Sequence, residues 1–113
     1  MLANRKNSKP KKIDELMAGA ELASSFLKAL ASDKRLMLLC LLAEGDKAVS
    51  ELTSALGMQQ SSVSQQLARL RAENMVTFKR DGRTIHYALA SDEVRRTIGL
   101  LYELFCAPKA KNK

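Results

Sequence analysis

The sequence predicts a mainly α fold with a small β-hairpin, and three observations carry that prediction. Apolar residues recur at helical spacing through most of residues 13–74. In "MVTFKRDGRTIHYAL", residues 75–89, the period shortens from about 3.6 to 2, with Asp81-Gly82 as a turn signal between the two runs. After residue 90 the helical spacing returns. The expected order is four helices, two strands and a last helix.

Residues 1–12, "MLANRKNSKPKK", are polar and basic, and are expected to form a disordered arm. The first helix is expected from Ile13, because Ile13, Leu16, Met17, Ala20, Ala23, Leu27 and Leu30 share one helical stripe. Ser32 or Asp33 can cap a second helix that runs to Glu44 and stops at Gly45. Its run "LMLLCLLA" is apolar nearly all round and is expected to be buried on most sides. A short third helix follows, with Ser50 as its cap, Val49, Leu52 and Leu56 facing inward and Gly57 as its end.

The fourth helix lies in "MQQSSVSQQLARLRAEN" and has two unlike faces. Val63, Leu67 and Leu70 form a narrow apolar stripe, while Gln60, Ser61, Ser64, Gln65 and Ala68 form a face that is small or amide-bearing throughout. A helix that meets only water usually carries Lys and Glu there, so a Ser/Gln face suits a partner read by hydrogen bonds. In the hairpin Val76, Phe78, Ile85, Tyr87 and Leu89 alternate with polar or small residues. Ser91 or Asp92 caps the last helix, whose apolar face is Val94, Ile98, Leu101, Tyr102 and Phe105. Residues 13–106 are thus expected to form one domain, and residues 107–113 a basic tail.

Charge narrows the function. The net charge is +7, but residues 1–12 hold five Lys/Arg and residues 107–113 hold three, so the tails account for the basicity. Between them, residues 59–90 hold five cations (Arg69, Arg71, Lys79, Arg80 and Arg83) against two acids. A local excess of this kind fits a polyanion better than a high overall pI does, because binding needs cations on one face. The longest apolar run, Leu36 to Ala43, is far shorter than the ~20 residues of a spanning helix. No membrane association is expected, and a cytoplasmic location, where thiols stay reduced, is.

Two short helices, the second polar on its outer face, followed by a hairpin with basic residues near its tip, match a winged helix-turn-helix. In that arrangement the second helix enters the major groove of double-stranded DNA and the hairpin reaches the backbone or the minor groove. The segment "LASDKRLMLLCLLAEGDKAVSELTSALGMQQSSVSQQLARLRAENMVTFKRDGRTIHYAL" resembles the bacterial ArsR/SmtB repressors, most specifically in "SSVSQQLARLRAENMV" and "RDGR". The resemblance implies a homodimer joined through the first and last helices. It also implies an inverted-repeat operator read by Gln60, Ser61, Ser64 and Gln65, with Lys79, Arg80 and Arg83 on the wing.

Many members of that family sense metals, and this sequence departs from them. "AVSELTS" lacks the paired cysteines of the arsenic and cadmium/lead sensors, and "SDEVRRTIGLLYELFC" lacks the histidines of the zinc sensors. His86, the only histidine, is expected on a strand surface rather than as a ligand. No metal site and no cofactor is expected.

Cys40 and Cys106 remain. Their positions, in the second helix and at the end of the last, resemble the dithiol branch of the family, the BigR/SqrR-like repressors relieved by reactive sulfur species, whose two cysteine positions the HlyU-like regulators share. The resemblance implies redox-sensing thiols close enough to be bridged. Cys106, near the chain end and expected to be the more exposed, is then the thiol expected to attack a persulfide, polysulfide or oxidant, with Cys40 resolving the adduct. Two alternatives stand beside this reading. One is an HlyU-like activator or anti-repressor with inert or redox-tuned cysteines. The other is a thiol enzyme, against which the chain has no CxxC motif and no base near either cysteine in sequence.

Overall fold

The computed structural model describes residues 5–106, with side chains from Lys12 onward. The chain divides into two compact units, one up to Leu30 and one from Ala31.

The first unit is a single helix, α1 (Arg5–Leu30). It begins eight residues before the expected Ile13, so residues 5–12 continue the helix instead of forming an arm. Lys and Arg cost little in a helix. The expected arm residues 1–4 and the tail 107–113 lie outside the described residues. Ile13, Leu16, Met17, Leu22 and Leu27 of α1 are exposed.

The second unit holds α2 (Asp33–Glu44), β1 (Lys47–Ala48), α3 (Val49–Leu56), α4 (Gln60–Ala72), β2 (Val76–Asp81), β3 (Thr84–Leu89) and α5 (Asp92–Phe105). Its helix starts follow their sequence signals. Ser32 Oγ accepts the Arg35 N–H at 3.3 Å, and Ser91 Oγ accepts the Val94 N–H at 3.2 Å. The expected Ser50 cap is replaced: α3 starts at Val49, and Glu51 Oε1 accepts the Ala48 N–H at 2.8 Å. Because the helix starts at Val49, Ser50 falls inside its first turn and does not cap it, while the Glu51 carboxylate satisfies the amide of Ala48.

Asn74, at φ 62, turns the chain from α4 into β2. The Met75 N–H reaches Leu70 O at 2.8 Å and the Asn74 N–H reaches Arg71 O at 2.9 Å, so the last carbonyls of α4 are satisfied. β2 and β3 pair antiparallel from Val76↔Leu89 to Asp81↔Thr84, leaving Gly82 and Arg83 as a two-residue connection. Gly82, at φ 66, supplies the positive φ such a connection favours. β1, absent from the sequence reading, pairs with β3 through Lys47↔Tyr87 and Ala48↔His86. Two residues are too few to leave an alternating pattern, and β3 thereby becomes the centre of a three-stranded sheet.

The core is formed by Leu38, Leu39 and Leu42 of α2, Leu52 of α3, Val63, Leu67 and Leu70 of α4, Met75, Val76 and Leu89 around the sheet, and Val94 and Ile98 of α5. Each fully buried Leu contributes about 1.5–3 kcal/mol of transfer free energy. Two expectations fail here. α2 is buried along one side only, with Leu36, Cys40 and Leu41 half-buried and Met37 exposed. On α5 the buried stripe ends after Ile98: Leu101 is half-buried, and Tyr102 and Phe105 are 50% and 77% exposed. Among the described residues of this unit both faces are covered only in part, since a unit of this size has too little mass to cover every apolar stripe.

Candidate functional site

Two groups of residues stand out in the second unit. The first is the outward face of α4. Val63, Leu67 and Leu70 are fully buried, and this inward stripe turns Gln60, Ser61, Ser64 and Gln65 outward, where all four are exposed. Gln59, which precedes α4, makes no side-chain cap bond, so the first-turn amides meet no capping oxygen. A helix start of this kind favours a phosphate, and exposed amide side chains pair with base edges.

Arg83 sits in the hairpin connection, and Lys79 and Arg80 are exposed on β2. Lys79 and Arg80 do not share a face, because strand neighbours point to opposite sides of a sheet. Lys79 lies across from His86, and Arg80 across from Ile85. His86, expected on the surface, is half-buried in the central strand. On the Arg80 side Phe78 and Tyr87 meet with ring centroids 5.7 Å apart, and the Arg71 guanidinium lies 4.1 Å from the Phe78 ring centre. Arg71 thereby holds the end of α4 against the hairpin.

The second group lines a cleft of about 660 Å³ between α2 and α5. Its walls are Leu36, Met37, Leu41, Ala43, Leu56, Ile98, Gly99 and Tyr102, and both Cys40 and Cys106 open onto it. Both thiols are free, with Cys40 half-buried and Cys106 exposed at the end of α5. Burial pushes the Cys40 thiol above its usual pKa, and the Cys106 thiolate and the Glu44 carboxylate push it further in the same direction. Cys40 is thus held as the thiol, while Cys106 has open access to a reagent. Among the described residues no cluster of His, Cys, Asp and Glu suits a metal ion.

One connection between the two groups goes beyond the sequence expectations. Arg35, 9% exposed, donates from Nη1 to Gln66 Oε1 at 3.2 Å, joining the helix of Cys40 to the helix of Gln65. The signal was present in the spacing, because Arg35 lies on the stripe of Leu38, Leu39 and Leu42 and was bound to turn inward.

Comparison with known proteins agrees with this geometry. The profile described as "Bacterial regulatory protein, arsR family" matches residues 32–77. HlyU of Vibrio cholerae, named a transcriptional activator, is 38% identical over 97 residues that cover 86% of this chain and 90% of that protein. The structure of reduced HlyU superposes with a TM-score of 0.79 at 39% identity, over 82% of this chain and 98% of the other. A biofilm growth-associated repressor of Agrobacterium fabrum is 46% identical over 83 residues, covering 74% of this chain and 71% of its own. A homodimeric winged helix-turn-helix DNA-binding domain from Mycobacterium bovis superposes with a TM-score of 0.72 at 32% identity, covering 80% of this chain and 84% of that one. No helix among the described residues is long and apolar enough to cross a membrane.

Proposed function

The chain belongs to the arsR family of bacterial regulatory proteins and is a transcriptional regulator rather than an enzyme, and from that premise we propose that it is a homodimeric repressor whose operator binding is relieved when Cys40 and Cys106 are bridged. One observation carries the thiol switch: Cys40 and Cys106 open onto a single cleft between α2 and α5. Either cysteine alone would be an ordinary residue. Together they form an attacking and a resolving thiol.

In this reading Gln60, Ser61, Ser64 and Gln65 contact base edges and phosphates in the major groove, and Lys79, Arg80 and Arg83 contact the backbone beside it. The dimer forms through α1 and α5, both of which expose apolar residues that water disfavours. The homodimeric state of the Mycobacterium bovis domain supports a dimer. Two recognition helices then read an inverted repeat with half-site centres about one turn, ~34 Å, apart.

The effector is a reactive sulfur species or an oxidant. A Cys106 thiolate takes up sulfur or is oxidised, and Cys40 closes the bridge as a disulfide or a longer sulfur chain. The bridge ties α2 to α5, and a shift of the dimer-forming α5 moves one recognition helix relative to its mate. A coupling of about 1–3 kcal/mol changes affinity roughly 5- to 150-fold, enough to release an operator held near its dissociation constant.

The test is a titration of operator DNA from the region upstream of the chain's own gene, before and after polysulfide or peroxide treatment, with the mass of each product recorded. Wild type should release DNA on bridging, while Cys40→Ser and Cys106→Ser should bind as tightly as reduced wild type and stay bound. A serine variant that still releases DNA as wild type does defeats the two-thiol mechanism. The relatives include both an activator and a repressor by name, so transcription from the bound promoter decides the sign.

A further inference from the structure

Glutamines mark α4 and its approach, and one of them is unlike the rest. Gln59, Gln60 and Gln65 are exposed, whereas Gln66 is half-buried and its Oε1 accepts Arg35 Nη1 at 3.2 Å. A guanidinium only donates, so the Gln66 amide has to present its oxygen to it. The donor stands apart as well. Among the described residues Arg35 is the one charged side chain that is buried, and a buried guanidinium is costly unless it is hydrogen-bonded. Its backbone is held too, because the Ser32 Oγ cap of α2 accepts the Arg35 N–H at 3.3 Å. The guanidinium thus reaches α4 from a fixed helix start.

α4 is otherwise docked by Val63, Leu67 and Leu70. Apolar contacts are non-directional, so they set how deeply the helix sits better than how it is turned about its axis. A turn of roughly 20° would carry a side-chain end about 5–6 Å from the axis through about 2 Å. That is well outside the window of about 0.5 Å over which a hydrogen bond to a base edge keeps good geometry. A reading face of amides and hydroxyls therefore needs a directional contact on its inner side. Gln66 directly follows Gln65, so a bond that holds one amide fixes where its neighbour points.

Resting on the reading of α4 as the helix that contacts bases, we infer that Arg35 and Gln66 are positioning residues for operator recognition. Their hydrogen bond sets the rotation of α4, and with it the register of Gln60, Ser61, Ser64 and Gln65 on the bases. Neither residue touches DNA. Gln66 spends its acceptor on Arg35 and acts through the helix.

The experiment uses the full-length reduced protein and two duplexes of equal length, one selected by the wild-type protein from a random library and one unselected. The ratio of the two dissociation constants is the readout, with urea midpoints recorded beside it. Gln66→Leu keeps the size and loses the acceptor. It should lower the ratio about tenfold, by weakening binding to the selected duplex and leaving the unselected one within about twofold of wild type. Gln66→Glu offers an oxygen at either end, so it should keep the ratio within about threefold of wild type while its charge weakens binding to both duplexes. Arg35→Met should lower the ratio as Gln66→Leu does. The double variant should lose no more than the larger single loss, because one bond is broken in all three.

A contact that serves folding alone gives lower urea midpoints with an unchanged ratio, and that outcome overturns the inference. Losses that multiply in the double variant also overturn it, since they mark Gln66 as a base contact independent of Arg35. If Arg35→Met does not fold, the Gln66 variants decide, and equal ratios for Gln66→Leu and Gln66→Glu overturn the inference. Gln65→Ala separates it from the reading on which it rests. A ratio that Gln65→Ala leaves unchanged, or a library from which no sequence is enriched, removes base reading by α4 and this inference with it. A ratio lowered by Gln65→Ala and untouched by Gln66→Leu removes the inference alone.

Discussion

The outward face of α4 and the cleft between α2 and α5 belong to one compact unit, yet one is built of Ser and Gln in open water and the other of Leu, Met and two thiols partly withdrawn from it. Each environment suits its chemistry. Amide and hydroxyl groups that must pair with base edges have to be accessible and unspent, so burying them would cost what binding is meant to gain. On the proposed thiol switch the resolving Cys40 has the opposite need, and the partial burial that raises its pKa favours the protonated thiol.

The comparison is broken most severely at α4 itself, whose two faces have different duties. Leu67 is fully buried, and Leu67→Ala should cost about 2–5 kcal/mol in folding stability through lost transfer energy and a residual cavity. Ser64, one turn away and exposed, should change stability by no more than about 0.5 kcal/mol when replaced by Ala. Urea unfolding of both variants provides the measurement. Similar midpoints for the two would mean that the Val63, Leu67, Leu70 stripe does not dock this helix.

That contrast also marks what the sequence made legible. The two faces of α4 were readable because Val63, Leu67 and Leu70 recur at helical spacing and the partition follows from local geometry alone. The hairpin was readable for the same reason, with a change of period around Asp81-Gly82. The cleft was not readable from periodicity. Cys40 and Cys106 are far apart in the chain, and only a resemblance in their positions suggested that they meet. Leu36 and Met37, which line the cleft, read as ordinary core in a helix that is apolar nearly all round. β1 escaped because its pairing with β3 is a tertiary event between two short, unpatterned residues and a distant strand. The earlier start of α1 escaped because a basic, proline-bearing segment reads as a tail when no apolar stripe runs through it.

Specific and general contacts should separate on the reading face, with somewhat smaller energies. Gln65→Ala should cost about 1–3 kcal/mol on the operator and little on unrelated DNA, since a lost base contact reduces the specificity ratio. Arg83→Ala, in the hairpin connection, should weaken binding to both DNAs alike and lower the salt slope by about one unit. Binding isotherms at several salt concentrations measure both effects. If Gln65→Ala leaves the specificity ratio intact, then α4 does not read bases from this face.

The smallest effect expected is in the titration of Cys40, and it tests whether the cleft is as dry as its walls suggest. The Cys40 pKa is raised first by burial, then by the Cys106 thiolate, then by Glu44. Folding therefore favours the protonated thiol. Its stabilising contribution is complete below the ordinary thiol pKa of about 8.5–9 and is lost as the pH rises through the higher folded value. Wild type should accordingly lose stability relative to Cys40→Ser in that alkaline window, with no pH-dependent difference between them from this group near neutrality. The causes can be ranked by alkylating Cys40 with iodoacetamide as a function of pH and counting the labelled peptide by mass. Cys106→Ser should lower the apparent pKa of Cys40 but leave it above the ordinary value, because burial, the first cause, is untouched. Glu44→Gln should lower it by less, because its carboxylate is the last of the three causes and is partly neutralised by Lys47 at 3.8 Å. A Cys40 that returns to the ordinary thiol range in Cys106→Ser would mean that charge rather than burial governs it. The cleft would then be wetter than its apolar lining implies.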